Sequence, residues 1–316
     1  MSAQLFNRFC RLVVVGADDG IDLSEFRIVF RVHQNDFESP NHAEIRVYNL
    51  SRETMDKIQG EGTTYGKYTK VHLEAGYQNG ENFGTIFEGT ISQLHRGREN
   101  NTETYIDILA ADGDFYNDIF VAETQAKRTT MKERVEAISK DANGNAITVN
   151  HPPQSDAKYW ATPSLRGKVL FGMWRSEIRK VAQTAGCSWS IQNGAVQIIP
   201  LDGYKEGEAV ELNSATGLIG VPKQTDEGVE MQCLLNPKII VGGLIKTSQE
   251  SINQTILNSM IPHNQWAGLQ FVAPLSPDGN YRVLVAEHHG DTRGHEWYTD
   301  IVGMAIDASG KVVLAR

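Results

Sequence analysis

The residues best equipped for chemistry in this sequence lie in the run Glu287-His288-His289-Gly290-Asp291, with His295 just beyond it. Imidazole and carboxylate groups so close together are donors that zinc accepts. Neighbouring residues of an extended strand point to opposite faces, however, so His288 and His289 cannot easily share one ion. The run also has the composition of a hairpin turn, and it reads as structural. Nucleophilic chemistry finds no better footing. There is no Gly-x-Ser-x-Gly elbow, and Cys187, directly after Gly186, reads as a packed thiol at a helix-to-strand junction. Gly242-Gly243 and Gly60-Glu61-Gly62 lack the Lys-Ser/Thr ending of a phosphate-binding loop. No Asp or Glu stands in a distinctive apolar context that would raise its pKa for general-acid work. Asn100-Asn101-Thr102 and Asn253-Gln254-Thr255 match the glycosylation triplet, a pattern short enough to arise by chance. The expectation is a chain with no catalytic residue, no cofactor and no metal.

Composition narrows the class without naming a function. The chain has 316 residues, with 30 Lys and Arg against 39 Asp and Glu, a formal charge of −9. Tight nucleic-acid binding needs clustered cations, which this balance disfavours. No apolar run approaches the roughly 20 residues that span a bilayer, so stable membrane insertion is not expected. Met1 to Arg11 does not read as a signal peptide. Cys10, Cys187 and Cys233 lie far apart, with neither metal-ligand spacing nor a disulfide framework.

The elements that must position any site come in three groups. Residues 1–118 read as strands. Phe26, Ile28, Phe30 and Val32 alternate with polar neighbours, as do Ala43, Ile45 and Val47, then Val71, Leu73 and Ala75. Ser51 to Ile58 reads as a short helix capped by Ser51, and Ile86–Leu94 with Thr104–Ala110 as a hairpin. Residues 119–210 read as a mixed α+β insertion. Met131, Val135, Ile138 and Ala142 form one helical stripe ending near Gly144, and Trp174, Ile178, Val181 and Ala185 form another ending at Gly186. A hairpin then turns at Asn193-Gly194.

Strands return over 211–316, with an internal echo of the first group. His95, Gly97, Tyr105, Asp107 and Ile108 recur at an offset of 193 as His288, Gly290, Tyr298, Asp300 and Ile301. Glu44-Ile45-Arg46-Val47 is loosely repeated as Glu230-Met231-Gln232-Cys233, and Val71–Ala75 near Leu244–Thr247. Between these strands, residues 248–280 form a long segment carrying Ile252, Ile256, Met260, Trp266 and Phe271. Loops of such length are commonly functional, and these five residues are the candidates for contact with a partner or a neighbouring subunit.

Several stretches resemble the baseplate hub proteins of bacteriophages. Pro40 to Thr54, reading PNHAEIRVYNLSRET, is similar to the first β-module of that family. So are Thr216 to Pro222 with Gly228-Val229 and Cys233 to Pro237, and Tyr281 to His288 followed by Gly290-Asp291-Thr292 and Trp297-Tyr298-Thr299. The resemblance implies a β-rich α+β fold, in which two tail-tube-like antiparallel β-modules (1–118 and 211–316) flank the α+β insertion (119–210). It implies a homotrimer whose six modules make a pseudo-six-fold ring, a symmetry adaptor between a six-fold tail tube protein and a three-fold central spike protein. A tape-measure protein and baseplate wedge proteins would be further partners, and DNA would pass only in transit during genome ejection. The expected place is the distal tail of the virion, after viral tail assembly in the host cytoplasm. Two other classes remain open on the residues alone: a tail-associated cell-wall hydrolase, and a receptor- or glycan-binding tail-tip protein.

Overall fold

The computed structural model describes residues 7–16, 19–59, 68–78, 82–113, 116, 119–140, 146–152, 160–248, 252 and 273–313. In chain order the first group comprises β1 (Arg8–Gly16), β2 (Gly20–Asp22), β3 (Ile28–Asn35), β4 (His42–Tyr48), α1 (Arg52–Gln59), β5 (Tyr68–Tyr77), β6 (Phe83–Arg98) and β7 (Thr104–Ala111). The second comprises β8 (Phe120–Gln125), α2 (Met131–Ile138), β9 (Val149–Asn150), β10 (Lys168–Met173), α3 (Trp174–Ala185), β11 (Cys187–Gln192) and β12 (Ala195–Pro200). The third comprises β13 (Val210–Glu211), β14 (Leu218–Gln224), β15 (Val229–Leu234), β16 (Leu244–Lys246), β17 (Asn280–Asp291) and β18 (Trp297–Ala305). Among the described residues no helix is long and apolar enough to cross a membrane.

Local chemistry explains most of these boundaries. Ser51 caps α1, its Oγ accepting the Thr54 amide at 3.0 Å. Thr130 and Glu133 close a reciprocal capping box at the start of α2. That helix is shorter than its apolar stripe predicts. Ser139 leaves helical geometry at ψ 76°, and its carbonyl accepts the Ile147 amide at 2.9 Å, so the chain turns into extended pairing. Ala142 and Gly144 lie outside the described residues. Helix α3 ends as expected on Gly186, which holds φ 69° in the left-handed region. The β11–β12 turn places Asn193 at φ 51° and Gly194 at φ 76°, the two consecutive positive values that a two-residue hairpin loop needs.

One large sheet dominates, with strand order β14-β15-β18-β17-β3-β4-β7-β6-β5-β1-β2, and with β16 on the other part of β17. Within it the same arrangement occurs twice. The first set runs β3-β4-β7-β6-β5, and the second runs β14-β15-β18-β17-β16. The two sets join where β17 residues 285–291 pair antiparallel with β3 residues 29–35. Three apolar clusters lie beneath. The first is built from strands β1 and β3–β7 with Ile58 of α1, and Leu235 and Trp297 also belong to it. The second gathers Trp160, Trp174 and Trp189 around α2, α3 and the β11–β12 hairpin. The third lies under β15–β18 and includes Leu212, Ile239 and Val241.

The echo in the sequence is real on some strands and out of step by one residue on others. Arg46 stands opposite Asp107, and Gln232 stands opposite Asp300. The offsets of 186 on β4/β15 and 193 on β7/β18 therefore match position for position. On β6 and β17 they do not. His95 pairs across the sheet with Asp107, whereas the partner of Asp300 is Glu287. His95 thus corresponds to Glu287, and His288 belongs to the opposite face. The bulges between Ile91 and Gln93 on β6 and between Val283 and Val285 on β17 fall at equivalent positions, and the slip comes from the turn, since the connection from Gly290 to Trp297 is one residue longer than that from Arg98 to Thr104.

Candidate functional site

The histidine run is divided by strand alternation as its sequence predicts. His288 is buried on the core face, its Nδ1 within 2.9 Å of Thr299 Oγ1, and burial pushes its pKa down to about 4. His289 lies on the other face, with Nε2 at 3.2 Å from Asp300 and 3.7 Å from Glu287. Asp291 is occupied elsewhere. It pairs with Arg27 at 2.8 Å and accepts the Arg293 amide at 2.9 Å, shaping the turn toward His295. Among the described residues no group of three His, Cys, Asp or Glu stands close enough to hold a metal ion. All three cysteines are free and buried. Burial pushes Cys10 and Cys233 up to about 12 and Cys187 up to about 11, which keeps them as neutral thiols near neutral pH.

What the tertiary structure assembles instead is a band of paired charges across the polar face of the sheet. Gln232 donates to Asp300 at 2.8 Å on β15 and β18. Arg31 on β3 meets Glu287 of β17 at 3.0 Å. Arg46 grips Asp107 with two bonds of 2.7 and 3.0 Å, and its guanidinium lies 3.9 Å from the centre of the Tyr105 ring. A shallow cleft of about 380 Å³ runs along this band, lined in part by Arg31, Glu44, Arg46, His95, Asp107 and Tyr298. Burial raises the Asp300 carboxyl, but the hydrogen bonds from His289 and Gln232 outweigh it and leave the pKa lowered. The carboxylate of Asp291 is likewise lowered, burial being overcome by the bond from Arg27. Carboxylates held in this way stay ionised and are poor proton donors.

Two carboxyls depart from the expectation that none sits in a pKa-raising environment: burial raises Asp36 despite the Arg282 charge beside it, and it raises Asp112. Asp112, just beyond β7, is pushed up to about 7 by burial, against the lowering effect of bonds from the Gly194 and Asn193 amides. The apolar surroundings come from the β11–β12 hairpin, distant in sequence, so no local pattern announces them. Asp112 Oδ1 accepts the Gly194 amide at 2.8 Å, Asn41 donates to the Ile191 carbonyl at 3.0 Å, and Gln192 donates to the Asn35 carbonyl at 2.8 Å. These bonds dock the insertion onto the first strand group. A second buried junction ties all three groups together. The Arg282 guanidinium pairs with Asp36 and donates to the carbonyls of Pro200 and Gly203 at 3.1 and 2.8 Å. Both networks are structural joints.

Of the five contact candidates, Ile252 is 7% exposed and packs in the third apolar cluster. Ile256, Met260, Trp266 and Phe271 lie outside the described residues. The sheet itself offers a different kind of contact, open strand edges, which apolar residue spacing does not signal. Among the described residues β14 has a partner on one side only, and so does the distal half of β6, whose residues 93–98 pair with β7 alone.

A β-rich chain built on one long antiparallel sheet, with repeated strand order and a small α+β insertion, has the fold of phage tail proteins. The structure aligns with the tail protein from Neisseria meningitidis MC58 at a TM-score of 0.54 and 7% identity, over 94% of this chain and 96% of that one. It aligns with the 43 kDa tail protein of prophage MuSo2 from Shewanella oneidensis at 0.55 and 6%, over 95% and 97%. The E. coli c3393 protein, a component of the type VI secretion system, aligns at 0.57 and 9%, over 92% and 76%. A comparison with curated protein sequences gave no match. A family model described as baseplate hub gp41 matches residues 13–261. The chain belongs to the baseplate hub gp41 family.

Proposed function

We propose that this chain is a structural hub subunit at the distal end of a phage tail, and that three copies close into a ring of six tail-tube-like modules. Each copy would supply one module from 1–118 and one from 211–316, with the 119–210 insertion on the side. A ring of this kind presents pseudo-six-fold symmetry to a tail tube and true three-fold symmetry to a central spike, and it needs no catalytic residue. The observation that carries the reading is the sheet order. The two strand sets share one topology and are joined in the chain through β17 and β3, while the equivalent edges, distal β6 and β14, remain open. A head-to-tail contact that repeats the internal joint uses both edges and closes after three copies, which leaves neither of these two edges free to aggregate.

The joint within the chain supplies a register for the joint between chains. Val32 pairs with His288, and the positions equivalent to these are Gln224 and Arg96. Pro222 lacks an amide proton and lies in the bulged stretch of β14 between Ile219 and Lys223, so backbone pairing is confined to the ends of that strand. In such a ring the polar face lines the channel. Along its central band Glu44, Asp107, Glu230, Glu287 and Asp300 outnumber Arg31, Arg46 and Lys223, an excess of negative charge that disfavours retention of a phosphate backbone. The segment 248–280, with Ile256, Met260, Trp266 and Phe271, is left to contact partners.

The test is a double variant, Arg96→Cys with Gln224→Cys, oxidised and run without reductant. The ring reading expects a covalent ladder ending at three copies, and light scattering of the unmodified chain near 105 kDa, three times 35.1 kDa. A chain that stays monomeric at high concentration even with spike and tube present, and that never cross-links, would overturn it.

A further inference from the structure

The insertion carries a surface that is separate from the large sheet. Strands β8 and β10 form a separate two-stranded antiparallel sheet, with Phe120 opposite Met173 and Ala122 opposite Phe171. Its inner face, with Val121 and Leu170, packs into the tryptophan-rich cluster. Its outer face bears Phe120, Val169 and Phe171, exposed by 55%, 64% and 67%, together with Met173. The Phe120 and Phe171 rings meet edge-to-face, with centroids 4.9 Å apart. Strand alternation thus places every large side chain of the outer face in solvent, and none of them is charged. Exposed apolar patches of this kind mark interaction sites. Two strands alone are also a marginal sheet, and among the described residues both outer edges are open.

The charge at one end of the ribbon selects the partner. Beyond β8 the chain continues Lys127-Arg128, and it enters β10 through Arg166-Gly167-Lys168, Lys168 being the first residue of that strand. The two continuations lie side by side, the Arg128 amide donating to the Ser164 carbonyl at 2.8 Å and the Ser164 amide to the Thr129 carbonyl at 3.1 Å. Four cations therefore gather at one end. Residues 124–132 and 160–176 contain no Asp or Glu, although the whole chain is net acidic. A second copy is a poor match through its own long apolar stretch, because residues 251–277 carry no Asp, Glu, Lys or Arg. A lipid surface suits cations and aromatics, but it offers no partners to the amides and carbonyls of two open strand edges. An extended protein segment satisfies all three features at once.

We propose that the β8–β10 ribbon docks an extended segment of a different protein, one whose apolar residues alternate along the strand and whose end over Lys127, Arg128, Arg166 and Lys168 is acidic. The proposal does not depend on ring closure. Its test uses the full chain and a synthetic peptide of roughly eight residues, alternating Val or Phe with Thr or Ser and ending in aspartates. A second peptide ends in lysines instead, and phosphatidylglycerol vesicles serve as the lipid control. The acidic peptide is expected to bind, and Phe171→Asp to weaken it by about tenfold or more, as for an apolar anchor in an interface. The double variant Lys127→Glu with Arg166→Glu is expected to reverse the preference toward the lysine-ended peptide, a readout that decides the matter even if Phe171→Asp unfolds the insertion. Equal binding of both peptides, or binding indifferent to these variants, would overturn the proposal. Vesicle binding without peptide binding, or a Phe171→Asp variant whose only effect is a smaller sedimenting species, would also overturn it and assign the face to lipid or to a second copy.

Discussion

Replacing Asp112 by Asn isolates the joint between the insertion and the first strand group. The residue is 1% exposed, Oδ1 accepts the Gly194 amide, and Oδ2 is buried with no protein hydrogen-bond donor. Burial raises the folded pKa from 3.8 to about 7, with the Glu88 charge adding to the effect against the two backbone bonds. The folded state therefore holds this proton more tightly than the unfolded chain does. The resulting stability is fully present below pH 3.8 and is lost as pH rises through about 7. At 1.36 kcal/mol per pH unit, the interval from 3.8 to about 7 amounts to about 4 kcal/mol. Asn keeps the acceptor for Gly194 and does not ionise. The variant and the parent should match in stability near pH 4, and the variant should be the more stable by up to about 4 kcal/mol near pH 8. Urea unfolding followed by tryptophan fluorescence reports on this joint, since Trp174 and Trp189 lie in the adjoining cluster. Parallel pH curves for the two proteins, or a variant less stable near pH 8, would refute the reasoning.

Three further outcomes follow from the same structure. Arg282→Met strands Asp36 in a buried site without its cation and should cost about 3–5 kcal/mol, read as a lowered unfolding midpoint in urea, with Asp36→Asn recovering part of the loss. Gly194→Ala places a side chain at φ 76°, where nothing lies within 4 Å of the new Cβ, so the cost of about 1 kcal/mol is purely conformational and should appear as faster hydrogen exchange in the β11–β12 hairpin. Arg46→Ala breaks a partly exposed pair with Asp107 on the polar face and should change stability by no more than about 1 kcal/mol in thermal melts, salt weakening the difference.

The amino-acid pattern exposes local features and misses those built by distant contact. Strand alternation at Phe30, Ile45 and Leu73, the Asn193-Gly194 turn and the Gly186 helix end depend on neighbours a few residues away, and each is found where the pattern places it. The end of α2 is missed because Ser139 leaves the helix to begin extended pairing with Ala146 and Ile147, which overrides the apolar stripe. His95 and His288 look equivalent in a fixed-offset comparison, yet the β17–β18 turn is one residue longer than the β6–β7 turn, which sets them on opposite faces. Asp112 looks ordinary among alanines and glycine, and only the docked hairpin makes it unusual. The apolar outer face of β8 and β10 is likewise concealed, since 42 residues separate the two strands and neither run reads as amphipathic on its own.

The sequence by itself determined the class of this protein: a β-rich chain, free of catalytic motifs, with an echoed strand pattern and the signature stretches of a baseplate hub. Period-two alternation, turn residues and helix caps act over a few positions, so they are readable without coordinates. The tertiary structure alone decided how the two strand sets join through β17 and β3, which edges that joint leaves open, which carboxyls burial raises, and which ribbon turns its aromatic rings to solvent. Register and burial depend on residues far apart in the chain, and one extra residue in a hairpin turn is enough to exchange the two faces of a strand.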